Sequence, residues 1–188
     1  MAKEDPVPSP KLSIQPASRL DAADLHDLCE ATDMAIIDGG GFGWVAPPPR
    51  ETLEAYWRGV LVVPERELFI ARLDGQICGS GQLALPSRNS EAQKHAVHIQ
   101  SAFIAPWARG HGLAQDLMLA LEARARSLKF QILNLDVRAT QSAAIRLYER
   151  LGYIRWGSHP AYAFVKGQFV EGHFYFKNLR QTDLPKKS

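Results

Sequence analysis

The run Arg109-Gly110-His111-Gly112-Leu113-Ala114 has the residue types and spacing to hold an anion. Behind it Leu113, Leu117, Leu121 and Leu128 recur at helical spacing, with Ala114, Met118 and Ala125 filling the same stripe. The glycines therefore stand where a helix opens. The first turn of a helix leaves about four N–H groups without intrahelical partners, and the helix dipole favours negative charge there. Gly110 and Gly112 have no Cβ, so a ligand can come close to the main chain. In front of the run, His98 to Ile104 reads as a short apolar strand, and Pro106, lacking an N–H, ends its ladder. A strand feeding a glycine turn that opens a helix suits a pyrophosphate cradle. The same layout also serves a tight strand–helix joint with no ligand.

Other chemistry-bearing residues are spread around this block. Phe42 and Trp44 follow Gly39-Gly40-Gly41, where they either line the mouth of a substrate pocket or cover the core. His98 and Gln100 share a strand face opposite Ile99. Near the C-terminus Tyr162 and Phe164 alternate in one strand, while Phe174 and Phe176 share one face of another, leaving His173 and Tyr175 for the opposite face. Gly167 and Gly172 punctuate a long turn between the two. No histidine or cysteine falls in a metal-ligand pattern, so no metal is expected.

The elements that would position these groups alternate. Leu12 and Ile14 read as an edge strand, Asp21 begins a helix through Leu25 and Leu28, and Glu51 to Val60 forms another helix with Leu53, Tyr56 and Trp57 inward. Leu68–Leu73 and Gln76–Leu85 are strands joined by Asp74-Gly75, a strong hairpin signal. Ile132, Leu133, Leu135 and Val137 make a mostly apolar central strand. Ser142–Leu151 is a helix closed by Gly152, and Tyr153 starts the next strand. The pattern predicts one α/β domain over residues 12–180 with a central mixed sheet, a flexible arm at 1–11 and a flexible tail at 181–188.

Composition narrows the classes. The 188 residues suit one domain with a sizeable core, and 46% hydrophobic content suits a globular chain. A formal charge of +2 is too small to argue for nucleic acid. No apolar run is long enough to cross a membrane and no cleavable leader is evident, so a cytoplasmic protein with no membrane or nucleic-acid partner is expected. Cys29 and Cys78 are the only cysteines and are expected to be thiols.

The central block resembles the acyl-CoA-binding signature of the GNAT family of N-acetyltransferases: Arg or Gln, two residues, Gly, any residue, then Gly or Ala. Arg109, Gly112 and Ala114 occupy its fixed positions, and the strand, Ile104 and Pro106 fall where that family has them. Leu147-Tyr148-Glu149-Arg150-Leu151-Gly152-Tyr153 resembles the family's downstream helix and tyrosine, so the likeness spans residues 68–155. It implies a small bacterial-type member with a splayed mixed sheet flanked by helices, using acetyl-CoA as co-substrate. The main chain of Arg109, Gly110, His111, Gly112, Leu113 and Ala114 would hold the pyrophosphate. Arg109 would either reach phosphate or steady the turn, and His111 would sit at the rim. The strand edge at Ala102, Phe103 and Ile104 would hold pantetheine and the acetyl carbonyl, with Gln141 and Arg146 as further contacts.

The resemblance puts Tyr148 at the general-acid position. Many relatives carry a glutamate where this chain has His98, the expected base, with His173 in reserve. Gln141 stands where the family often has asparagine. Phe42, Trp44, Tyr162, His173 and Tyr175 are expected around the acceptor, an amine of a small molecule, amino acid or peptide. A homodimer paired through a sheet edge is expected. A non-catalytic acyl-CoA-binding module is the alternative, against which Tyr148 argues.

Overall fold

The computed structural model describes residues 9–40 and 42–180; the rest of the expected arm and tail, with Gly41, lies outside the described residues. Seven strands make one sheet in the order β1-β2-β3-β4-β5-β7-β6. Strands β1 (Leu12–Ala17), β2 (Arg66–Leu73), β3 (Gln76–Ala84) and β4 (Ala96–Ile104) form an antiparallel half. Strand β5 (Ile132–Arg138) runs parallel to β4, and β7 (Gln168–Asn178) and the edge strand β6 (Ile154–Val165) complete an antiparallel second half. This is the expected mixed α/β architecture.

Strand alternation decides which helix covers which face. On β2, Leu68 and Ile70 turn towards α1 (Ala22–Ile37) and α2 (Arg50–Val62), where Leu28, Leu53 and the fully buried Trp57 meet them. Their neighbours Phe69 and Ala71 turn the other way, into a core with Leu117 and Leu121 of α3 (Leu113–Ser127) and Leu147 of α4 (Ser142–Arg150). Each fully buried leucine contributes on the order of 2 kcal/mol of apolar transfer free energy. Cys29 and Cys78 are buried in these cores as free thiols, and burial pushes both up to about 11, which suppresses thiolate chemistry at neutral pH.

Two sequence expectations move. Helix α1 runs on to Ile37, with Asp21 as its N-cap accepting from the Asp24 N–H at 2.8 Å. The C-terminal turn is only Lys166-Gly167, both at positive φ, while Gly172 lies inside β7. A Cβ at Gly172 would run into the ring of Tyr162, so this glycine lets a tyrosine lie flat on the neighbouring strand. The β6 bulge between His159 and Ala163 accompanies that placement.

The two halves of the sheet are joined sparingly. Strands β4 and β5 pair only at Ala96–Ile132, Val97–Leu133 and His98–Asn134, then part. A second tie crosses from α3 to β7, where Lys177 Nζ meets both oxygens of Glu122 at 2.7 Å. Glu122 is 1% exposed, so its carboxylate depends on that ammonium and on Arg126 at 3.5 Å. Lys177→Met should lower stability by about 3 kcal/mol, because a buried carboxylate loses its closest partner. Urea unfolding would measure it.

Candidate active site

Where β4 and β5 part, a cleft opens. Its near side is a cavity of about 370 Å³ lined by Ala102, Phe103, Ile104, Arg109, Gly110, Gly112, Leu113, Ala114, Gln141, Tyr148 and Arg150, among others. The strand bends there because Ser101 and Ala102 together oppose one residue of β3, a bulge with Ser101 at φ +49°. The Tyr56 hydroxyl lies 3.2 Å from the Ser101 hydroxyl, and Gln82, fully buried, donates to that tyrosine at 3.0 Å. Arg66 in turn donates to Gln82 and Gln100. The bend is thus held by a satisfied polar network.

The glycine turn fits a diphosphate. Gly110 and Gly112 both sit at φ +85°, and a Cβ at either would project into open space with nothing within 4 Å. Gly112 is also the N-cap of α3 and offers no side chain to its first turn. Among the described residues, no protein acceptor takes the N–H groups of Gly110, His111, Gly112, Leu113 or Ala114. A row of unspent donors at a helix start, with room in front of it, is what an anionic pyrophosphate requires. The Arg109 side chain turns away from this row: it meets Asp38 at 2.7 Å and the Ile104 carbonyl at 3.4 Å, so it braces the turn. His111 folds back onto the Ala108 carbonyl and does not line the cavity. Arg146 is exposed on α4 outside the lining, whereas Arg150, one turn further, lines it.

The far side of the cleft is a second cavity, about 350 Å³, lined by Phe42, Val45, Ala102, Asp136, Arg138, Gln141, Ala144, Tyr148, Tyr162 and Phe164, among others. The two cavities share Ala102, Gln141, Ala144 and Tyr148. Tyr148 is the one residue with an ionisable side chain in that shared wall. Burial, then the nearby Asp136 charge, pushes its phenol up to about 12, so it stays protonated through the neutral range.

Asp136 binds two side chains. His98 Nε2 lies 2.8 Å from its Oδ1, and the Tyr162 hydroxyl donates to its Oδ2. The His98 hydrogen bond, partly offset by burial, and then the Tyr162 hydrogen bond hold the Asp136 carboxyl below its ordinary value. An ionised carboxylate only accepts, so Nε2 carries the hydrogen, and whenever the ring is neutral the lone pair is on Nδ1. The His98 ring lines an adjoining groove with Asn134, Trp156, Phe174 and Phe176, and Asp136 is the member of the pair that lines the cavity beside Tyr148.

The α1–α2 loop closes this region. Gln141 donates to the Gly39 carbonyl at 2.5 Å, and Arg138 donates to the Phe42 carbonyl at 2.5 Å. Phe42 is buried against Phe103 and Trp57 and lines the second cavity, while Trp44 packs on Phe42 and Tyr56 behind it. His173 and Tyr175 do not line that cavity. Their β7 face is opposite the one Phe174 shares with Asp136, so Tyr175 packs on Tyr148 and donates to Glu149, and His173 contacts Ser158. Sequence reasoning missed Asp136 and Arg138. The signal was present: Asn134, Asp136 and Arg138 alternate with Leu133, Leu135 and Val137, as in a half-exposed strand.

Residues 31–153 match the Acetyltransferase (GNAT) family. An uncharacterized N-acetyltransferase of the hisH-hisA intergenic region of Azospirillum brasilense is 58% identical over 130 residues, 69% of this chain and 77% of that protein. Among solved structures, an N-acetyltransferase from Staphylococcus aureus Mu50 gives a TM-score of 0.77 at 19% identity, over 90% of this chain and 99% of that one. A GNAT superfamily phosphinothricin acetyltransferase from Sinorhizobium meliloti, in complex with AcCoA, gives 0.73 at 21% identity, over 89% and 88%. At these identities the structural likeness is one of fold. The chain belongs to the GNAT family of acetyltransferases, the class that moves acetyl from acetyl-CoA to an amine.

Two outcomes follow from this geometry. Gly112→Asp should abolish acetyl-CoA binding in calorimetric titration while the protein stays folded, since aspartate tolerates positive φ but sets a like charge in the cradle. Because the Asp136 pKa is depressed on folding, its contribution is present above its ordinary value of 3.8 and is lost as pH falls through the folded value. The stability gap between the wild type and Asp136→Asn should therefore be constant near neutral pH and shrink below about pH 4 in chemical denaturation.

Proposed function

We propose that the chain transfers the acetyl group of acetyl-CoA to a primary amine of a small molecule, amino acid or peptide by direct attack in a ternary complex. The observation that carries this reading is the meeting of a donor-lined cavity and a carboxylate-lined cavity at a single buried tyrosine, Tyr148.

Acetyl-CoA supplies the acetyl group already activated as a thioester. The unspent N–H groups from Gly110 to Ala114 hold the pyrophosphate, and the β4 edge parted from β5 at Ala102 to Ile104 receives the pantetheine arm. A main-chain donor on that edge polarises the acetyl carbonyl as negative charge develops on its oxygen. Gln141 stays in reach of the cofactor from the N-cap of α4, and Arg150 replaces Arg146 as the nearer guanidinium.

Attack requires an amine without its extra proton. His98 takes that proton at Nδ1 through water, since its ring opens on the groove beside the cavity, and Asp136 holds the imidazole in the tautomer required. Tyr148 then donates its hydrogen to the departing sulfur. Phe42 and Tyr162 shape the acceptor side, and Trp44, His173 and Tyr175 support it from behind. No helix among the described residues is long and apolar enough to cross a membrane, and we read the chain as cytoplasmic. We also read it as a homodimer, for which the edge strand β6 offers exposed Ile154 and Trp156.

Tyr148→Phe should lower turnover by about tenfold to several thousandfold with acetyl-CoA affinity nearly unchanged. Single-turnover thiol release under chemistry-limited conditions measures it; full turnover in the Phe variant would leave Tyr148 a packing residue.

A further inference from the structure

We propose that the acceptor is an α-amino acid, its ammonium held by Asp136 and its carboxylate by Arg138. This rests on the acetyl-transfer reading above and adds the substrate class. The two residues stand two apart on β5, so their side chains leave the same face about 7 Å from each other. Both line the cavity that Tyr148 closes.

Each has unspent capacity. A carboxylate offers about four lone-pair sites, and Asp136 uses one for His98 and one for Tyr162. Arg138 spends one hydrogen bond on the Phe42 carbonyl, and among the described residues no carboxylate lies within ion-pair reach of its guanidinium. A half-buried cation that faces a cavity without an ion-pair partner is a site for an anionic group. In an α-amino acid the ammonium and carboxylate are separated by one carbon. It therefore presents one cation and one anion close together, and each end can make a charge-assisted hydrogen bond of about 2.8 Å.

The remaining walls are mixed: Phe42, Val45, Phe164 and Val165 offer apolar contact, while Gln141 and Tyr162 bring an amide and a hydroxyl, so the specificity rests on the charged pair. A simple alkylamine would leave the guanidinium unpaired, a polyamine would set like charge against it, and a peptide N-terminus would present it a neutral amide. Each of these loses a charged hydrogen bond that the free amino acid makes.

The test compares acceptors that differ only at the carboxylate. Wild-type protein with saturating acetyl-CoA is assayed for thiol release with L-leucine, L-leucinamide, isopentylamine and the dipeptide Leu-Gly, and with the matching phenylalanine set. The expected result is a kcat/KM for the free amino acid about tenfold to a hundredfold above the amide, the amine and the dipeptide. Arg138→Gln should collapse that ratio, chiefly by raising the KM of the amino acid. Equal use of the amide, amine or dipeptide by the wild type overturns the proposal, as does a ratio unmoved in a folded Arg138→Gln variant. The wild-type ranking decides if that variant does not fold. Turnover of none of the twenty amino acids by protein that still binds acetyl-CoA overturns the amino-acid acceptor alone. Failure to bind acetyl-CoA overturns the acetyl-transfer reading together with it.

Discussion

The structure depends on a hydrogen-bond ladder that stops early. Strands β4 and β5 share three residue pairs, and beyond His98 and Asn134 their edges face a cleft. Unpaired strand edges are normally covered or blunted, because exposed N–H and C=O groups are costly in the interior and adhesive at the surface. Here the parted edges are the walls of the two cavities. The Ser101 bulge turns β4 away from its neighbour, and the Tyr56–Gln82–Arg66 network holds the bulge in place. Since so little backbone crosses the seam, side chains carry part of the join, with Glu122 and Lys177 linking α3 to β7 from the helical side.

Charge is distributed in keeping with this layout. The cavity at the glycine turn offers N–H groups and no carboxylate, while the second cavity holds an ionised Asp136 between His98 and Tyr162. Tyr148, buried between them, keeps its proton because desolvation opposes the phenolate and the Asp136 charge adds to that opposition. The loop after α1 is fastened by three side chains of different origin. Arg109 meets Asp38, Gln141 meets Gly39 and Arg138 meets Phe42. Each comes from an element that also lines a cavity, so the position of this loop is tied to the shape of the cleft.

Much of this was legible in the residues alone, and for local reasons. Strand, Pro106, glycine turn and leucine-striped helix are adjacent in the chain, so spacing by itself specified a helix start with donors exposed. Asp74-Gly75 specified its hairpin in the same way, and the Gly152 left-handed cap ended α4 where it was expected. The resemblance to the GNAT family then supplied the splay, which no periodicity contains. Only the tertiary structure decided which side chains meet across elements. His98 and Asp136 lie 38 positions apart and join because β4 and β5 are parallel neighbours at that level. Tyr162 reaches Asp136 because β7 intervenes between β6 and β5 and Gly172 leaves room for the ring. His173 and Tyr175 fall behind the sheet because pairing register, set by partners far along the chain, chooses the face that each alternate residue takes. Alternation within a strand is written locally, but which of its two faces looks into the cleft is settled by packing.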